Sequence, residues 1–356
     1  MDMKIRISDN RYIGDGEPCF IVAEMSANHN QNYDKAVRII QAAAESGADA
    51  IKLQTYTPDT ITINSRDDQF FISKDSTWAG KNLYELYAEA YTPWEWQPKL
   101  KTIAEELGLV CFSSPFDYTA IDFLEKLDVP AYKIASFELV DLPLIKYAAK
   151  KGKPLIISTG MATREEIEEA VDAVKKTGNS EIVLLKCVSA YPAPPEEMNL
   201  RTILDMQKRF ECLVGLSDHT LGHEVALAAV VLGACMIEKH FTLSRKDGGP
   251  DSSFSMEPDE FKGLVKAIRA VESALGKVSY EPTERESMNK QFRRSLFAVK
   301  EIKKGEKFSR NNIRSIRPAS GLPPKHYEDI IGMEAARDIK AGSPLTWDDV
   351  RTISSR

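Results

Sequence analysis

The chain has 356 residues, 43% of them hydrophobic and 28% charged, with a formal net charge of −6 at neutral pH. That length exceeds one ordinary domain but fits a barrel of about 250 residues with a small appendage. No apolar run approaches the roughly 20 residues that cross a bilayer, and a mildly acidic chain without a basic block gives no electrostatic reason to expect nucleic acid. The start "MDMKIRISDN" lacks the basic, apolar and small-residue succession of a secretory signal, so the expected compartment is the cytoplasm. The five cysteines (Cys19, Cys111, Cys187, Cys212, Cys235) are scattered through apolar runs with no C-x-x-C and read as reduced packing residues.

Residues 3–13 read as a small hairpin ahead of the main domain. Then short β-rich runs alternate with longer amphipathic ones: "CFIVAEM" precedes "YDKAVRIIQAAAESG", and "ADAIKLQ" precedes, after an insertion over 56–92, "PWEWQPKLKTIAEELG". An insertion of that length exceeds a simple loop, and loops of that kind often act as lids. The alternation continues with "LVCFSS", "AYKIAS", "PLIIST", "EIVLLKC", "CLVGLS" and "CMIEKH", each followed by a helical pattern. The clearest helix spans 163–177, where Thr163 caps the start, Glu166 completes a capping box, and Ile167, Ala170, Val171 and Val174 form one apolar stripe before Gly178. Eight consecutive βα units predict a closed (β/α)8 TIM barrel over residues 1–280 rather than an open doubly wound sheet. The charged stretch 281–295 reads as a linker, and 296–356, with brief strand-like pieces between glycines and prolines, as a small second domain in which "EIKKGEKFSRNNI" and "DIKAGSPLTWDDV" echo each other.

Barrel enzymes work at the C-terminal ends of their strands, and here those ends are loaded with polar residues. Residues two apart on a strand share a face, which pairs Lys52 with Gln54, Ser217 with His219 and Glu238 with His240. Glu24, Ser113, Ser114, Lys133, Ser136, Ser158, Lys186, Ser189 and Tyr191 stand at or near the other ends. His219 and His240, on adjacent strands, could share a divalent metal, with Mn2+ or Mg2+ suited to so few protein ligands; the alternative is a packed or general-base histidine. A lysine inside an apolar strand calls for an anion, so Lys52 and Lys133 suit a carboxylate or phosphate. A Schiff-base role for Lys133, as in an aldolase, is the competing chemistry. The loop "SRKDGGPDSSFS" offers Asp251 to sugar hydroxyls, or is a plain surface turn.

The ordered motifs "VAEMSANHNQ", "GADAIKLQTYTPDTI", "FSSPFD", "YKIASFEL", "PLIISTGMAT", "GLSDHT" and the run from "IEKHFTL" to "GGPDSSFSMEP" resemble the sialic acid synthase family over essentially the whole chain, including an antifreeze-like (SAF) domain at the C-terminus. The resemblance implies a metal-dependent condensation of phosphoenolpyruvate with an open-chain N-acetylated amino sugar, giving a nine-carbon 2-keto acid and phosphate. It implies His219 and His240 as metal ligands, and Lys52, Lys133, Ser136, Ser158 and Ser217 around phosphoenolpyruvate with Gln54 and Lys186 nearby. Glu24, Tyr191, Glu238 and Asp251 would serve the sugar or the proton transfers. It further implies a domain-exchanged homodimer in which Arg317 of "IRPASG" reaches the acyl group of the sugar in the partner's barrel. Where neuraminate synthases typically carry a loop like "GPDHKAS", this chain has "GGPDSSFS" and looks more like the pseudaminic acid synthases, whose sugar is a 6-deoxy, 2,4-diacetamido altrose; neuraminate and legionaminate chemistry are the alternatives. A pure binding protein has no use for so many converging ionisable groups.

Overall fold

A computed structural model describes residues 3–72 and 78–351. The chain divides into two compact units, Met1–Gly276 and Lys277–Arg356. The first opens with an antiparallel hairpin of β1 (Lys4–Ser8) and β2 (Arg11–Gly14). Eight parallel strands then close into a barrel: β3 (Phe20–Glu24), β4 (Ala50–Thr55), β5 (Val110–Pro115), β6 (Tyr132–Ile134), β7 (Leu155–Ser158), β8 (Ile182–Cys187), β9 (Leu213–Asp218) and β10 (Met236–His240). Sequence neighbours pair throughout, and β10 returns to β3 with Met236 opposite Phe20 and His240 opposite Glu24. The closed barrel is the one the eight βα units predicted. The capping box of the helix Arg164–Lys175 also forms, with Thr163 accepting from the Glu166 amide and the Glu166 carboxylate accepting from the Thr163 amide.

Strand parity decides what each residue does. The inward face is apolar toward the N-terminal end, where Phe20, Val22, Ala50, Phe112, Ala131, Ile156, Val183, Leu185 and Met236 pack together. The hairpin closes that end by adding Ile5, Ile7 and Ile13 to the same cluster. Moving two residues along the same face, Val22 gives way to Glu24, Ala50 to Lys52, Ile156 to Ser158 and Met236 to Glu238. The outward face packs beneath the helices, with Ile21, Ile51, Leu53, Ile134, Ile157, Leu216 and Ile237 in one large cluster.

Asp49, just before β4, ties the hairpin and the last long helix to the barrel wall. It accepts from the Ile21 amide at 2.8 Å, from Arg11 at 3.3 Å and from Arg269 of the helix Pro258–Leu275 at 2.9 Å. The insertion over 56–92 carries the helices Pro58–Ile61 and Leu83–Ala90, and its residues 73–77 lie outside the described residues.

In the second unit, β11 (Ser295–Ala298) pairs antiparallel with β12 (Ile313–Ile316) around Leu296, Ile302, Phe308, Ile313, Ile330, Ile339 and Leu345. The two echoing segments meet: the amides of Ile302 and Ile339 donate to each other's carbonyls at 2.9 and 2.8 Å. The stretch read as a linker, 281–295, contains the short helix Glu284–Asn289, capped by Thr283.

Lys239 stands on the outward face of β10 and is 2% exposed. Its ammonium donates to Asp218 at 2.8 Å and to the Thr220 carbonyl at 2.6 Å, while the other Asp218 oxygen accepts from the Thr220 amide and hydroxyl. This lysine is a satisfied packing element. Removing one partner of so buried a pair leaves an uncompensated charge, so Lys239→Ala should lower unfolding free energy by about 3–5 kcal/mol in urea titrations. Pairing Lys239→Met with Asp218→Leu should recover most of that loss; a single substitution that costs nothing would refute the structural role.

Candidate active site

The inward-facing polar residues meet at the C-terminal mouth of the barrel. Glu24 ends β3, Lys52 and Gln54 end β4, Ser114 lies on β5, Lys133 on β6, Ser158 on β7, Ser217 on β9, and Glu238 and His240 on β10. The Lys52 ammonium is 2.8 Å from Glu24 Oε2 and 3.3 Å from Glu238 Oε1, and donates to Ser114 Oγ at 3.3 Å. Lys133 donates to Ser158 Oγ at 2.7 Å and stands 3.8 Å from the same Glu238 oxygen. Glu238 therefore sits between two buried cations, and its other oxygen, Oε2, is buried without a hydrogen-bond partner.

Burial dominates the electrostatics here. It pushes Glu24 up to about 7, against the pull of Lys52 and with a further push from Glu238. Burial would raise Glu238 as well, but Lys133 and Lys52 outweigh it and hold that carboxyl below its ordinary range. Burial also lowers Lys133, and Glu238 only partly restores it. Four charged side chains in a dry pocket thus divide into one firm carboxylate, one carboxyl that exchanges its proton near neutrality, and two ammonium groups of unequal strength.

The two imidazoles stand with ring centres 5.4 Å apart. His219 Nδ1 lies 2.8 Å from the Val188 carbonyl; a carbonyl only accepts, so Nδ1 carries the proton and donates it. The lone pair of Nε2 is left for another partner in the neutral ring. His240 Nδ1 is buried with no hydrogen-bond partner. Burial and then the proximity of His219 press His240 well below the usual imidazole range. Both rings border Tyr191, whose ring centre lies 4.4 Å from that of His219.

A second chain of contacts reaches the loop after β10. Asp251 accepts from Ser26 Oγ and, at 3.3 Å, from the Ala27 amide; Gln54 donates to both Ser26 Oγ and Glu24 Oε1 at 2.9 Å. Asp251, Ser26, Gln54 and Glu24 are thereby linked. Ser136 Oγ accepts from the Gly160 amide at 3.1 Å, and a Cβ at Gly160 would fall 2.2 Å from Ser189 Oγ, so glycine is required there.

Of the barrel candidates, Lys186 and Ser113 do not join this network. Lys186 lies on the opposite parity of β8 from Leu185 and donates to the Cys187 carbonyl at 3.0 Å. Arg317 is exposed on the second unit. Ser113 faces away from the mouth, where its hydroxyl meets Thr55 Oγ1 at 2.7 Å. Two residues that sequence reasoning passed over do join it, and a third, Glu138, stands near enough to feel Lys133. Ser26 adopts a left-handed backbone (φ 45°), rare for a serine and invisible in the sequence. Cys187, read as packing, lies 3.9 Å from His219 Nδ1. Glu138, third in the turn after β6, carries a buried Oε2 with no hydrogen-bond partner, and burial pushes its carboxyl up to about 7 despite the neighbouring Lys133. The acid in "IASFEL" two residues past a strand-end serine was the available signal.

Fold and site together define an enzyme of the TIM-barrel class with its ionisable groups gathered at the C-terminal strand ends. The chain belongs to the NeuB family: residues 39–280 match the NeuB family model, and residues 293–351 match that of the SAF domain. It is 47% identical to the pseudaminic acid synthase of Campylobacter jejuni over 93% of this chain and 96% of that one. It is 37% identical to the N,N'-diacetyllegionaminic acid synthase of Legionella pneumophila over 95% and 96% of the two chains. The crystal structure of the N-acetylneuraminic acid (sialic acid) synthetase of Leptospira borgpetersenii superposes with a TM-score of 0.71 at 33% identity, covering 81% of this chain and 95% of that one.

The raised Glu138 carboxyl has a stability consequence of definite sign. Its proton is held more tightly folded than unfolded, so its contribution is fully present below the unfolded value of 4.5 and is lost as pH rises through about 7. Glu138→Gln, which cannot ionise, should exceed the native protein in unfolding free energy by about 2 kcal/mol at pH 8.5, allowing for solvent screening. The advantage should fade toward pH 4.5. An equal difference at both pH values would show that Glu138 is not the titrating group.

Proposed function

We propose that this chain is a metal-dependent pseudaminic acid synthase of the cytoplasm, joining phosphoenolpyruvate, water and the 6-deoxy 2,4-diacetamido altrose to give pseudaminic acid and phosphate. The observation that carries the chemistry is the pair of buried lysines bracketing Glu238 and ringed by strand-end serines. Such a pocket suits a compact, highly charged phosphoanion that brings the missing negative charge. The 47% identity to a named pseudaminic acid synthase, against 37% to a legionaminic one, supports the sugar.

In this reading Lys52, Lys133, Ser136, Ser158 and Ser217 hold the phosphate and carboxylate of phosphoenolpyruvate. His219 and His240 hold a divalent cation, Mn2+ or Mg2+: one ring has its Nδ1 proton fixed on a carbonyl, the other an unpartnered buried nitrogen, and together they leave positions for oxygen ligands. When bound, that cation supplies Lewis-acid polarisation of the sugar aldehyde. Carbon 3 of phosphoenolpyruvate attacks the aldehyde carbon, water adds at carbon 2, and phosphate leaves with its bridging oxygen. Lys52 and Lys133 stay on the anion throughout, and Glu24, poised near neutrality, can give or take a proton beside them. Gln54 and Asp251 orient sugar hydroxyls, with Tyr191 packed beside the imidazoles. We further assign a domain-exchanged homodimer in which Arg317 approaches the sugar bound by the partner.

One observation favours a second reading. Burial depresses Lys133, as a Schiff-base lysine requires, so an aldolase acting on pyruvate is the alternative. Borohydride trapping of pyruvate on Lys133 would select it.

The deciding assay is phosphate release from phosphoenolpyruvate with N-acetylmannosamine and with the altro and manno 2,4-diacetamido-2,4,6-trideoxy sugars, with and without EDTA. EDTA-sensitive release with the altro sugar is expected, and His240→Ala should reduce it by about 10³-fold or more. Arg317→Ala should raise the sugar KM more than that for phosphoenolpyruvate. Release with another sugar would correct the substrate; no release with any sugar would refute the synthase.

A further inference from the structure

Trp78, in the insertion over 56–92, lies against the reaction site. Its indole Nε1 donates to the Pro250 carbonyl at 2.8 Å, in the loop that follows β10. That acceptor is held in place from behind. Asn30 donates to the Gly248 carbonyl at 3.0 Å, and Lys35 pairs with Asp247 at 3.0 Å. Gly249, at φ 114°, passes so close to Asn30 that a Cβ would fall 2.2 Å from its Oδ1. The loop backbone is thus fixed, and the indole is fixed on it.

Trp78 then continues a row of rings. Its centre lies 5.6 Å from Tyr191; Tyr191 lies 5.1 Å from Phe254; Phe254 lies 5.0 Å from His240; Tyr191 lies 4.4 Å from His219. Phe254 is 3% exposed and belongs to the turn Ser252–Phe254 of the same loop. The rings form a continuous apolar face that begins at the imidazole pair and ends at the insertion.

We propose that Trp78, acting with Phe254 across Tyr191, is a specificity-determining residue that receives the deoxy, methyl-bearing end of the sugar and disfavours a sugar with a hydroxyl there. The inference rests on the synthase reading and adds to it the residue that selects the substrate's far end. An aldose whose aldehyde lies at the histidine pair extends away from it along Tyr191. A methyl group gains contact and leaves water against such a face. A hydroxyl set against such a ring face exchanges hydrogen bonds to water for contact with ring carbon. Apolar pockets reject an added hydroxyl by no more than about 10²-fold, which sets the size of the expected effect.

The test is steady-state kinetics at saturating phosphoenolpyruvate, comparing the 6-deoxy 2,4-diacetamido sugar with its 6-hydroxy counterpart. The native enzyme should favour the deoxy sugar by about 10²-fold in kcat/KM. Trp78→Asn should cut that ratio to below about 10 by raising KM for the deoxy sugar, while KM for phosphoenolpyruvate stays essentially unchanged. Trp78→Phe, which keeps a ring and loses the N–H, should retain most of the ratio. An unchanged ratio in Trp78→Asn would overturn the proposal, as would a native ratio near one. Should Trp78→Asn fail to fold, Phe254→Ser decides on the same ratio: collapse supports the wall and no change refutes it. Phosphate release with neither sugar would refute the synthase reading, whereas equal release with both would refute the aromatic wall alone.

Discussion

The site depends on the presence of Lys52 and Lys133 inside a barrel that admits little water. Each is at most 3% exposed, and a buried ammonium without an anion is among the most expensive arrangements a protein can hold. Glu238 stands between them and Glu24 beside Lys52, so neutrality is reached only when both glutamates ionise. Burial resists that, and Glu24 rises to about 7. The resting pocket is therefore short of negative charge near neutral pH, and a phosphoanion supplies it. The serines around both lysines add donors that cost no charge, so the pocket can tighten on oxygen without becoming more cationic.

The barrel makes this charge arrangement sustainable. On the inward face the same strands change from apolar to polar within two residues, and the apolar end is plugged by Ile5, Ile7 and Ile13. The hairpin and the long helix Pro258–Leu275 are tied together at that end through Asp49. Closure leaves no edge to fray, and each strand end is held at fixed register to its neighbours. The outward face carries its own buried lysine, Lys239, satisfied by Asp218 and the Thr220 carbonyl. Lysines of equal burial thus have opposite meanings, and parity separates them.

Much of this was legible in the sequence because barrels obey a strict two-residue period and a strict order of units. The eight strands, the capped helix Arg164–Lys175 and the side-by-side placement of His219 and His240 follow from pattern alone. Parity also put Glu238 and Lys52 on the inner face. What stayed hidden depends on loop geometry that spacing does not encode. Ser26 enters the site through a left-handed backbone, and Glu138 comes near Lys133 through the turn after β6. Lys186 looked like a strand-end ligand, but it falls one residue out of phase with Leu185 and turns to a backbone carbonyl. Trp78 comes from an insertion with no strand or helix periodicity at that point, so nothing local announced its place beside Tyr191.

The central claim is that the inward lysines exist to bind a phosphoanion, and calorimetric titration of phosphoenolpyruvate without sugar addresses it directly. Lys133→Met should weaken binding by about 10²-fold, close to 2.7 kcal/mol for the loss of a charge-assisted contact in a dry pocket. The folded fraction of Lys239→Met, which removes an equally buried lysine from the outward face, should bind as the native protein does. Equal affinity in Lys133→Met and the native protein would contradict the account.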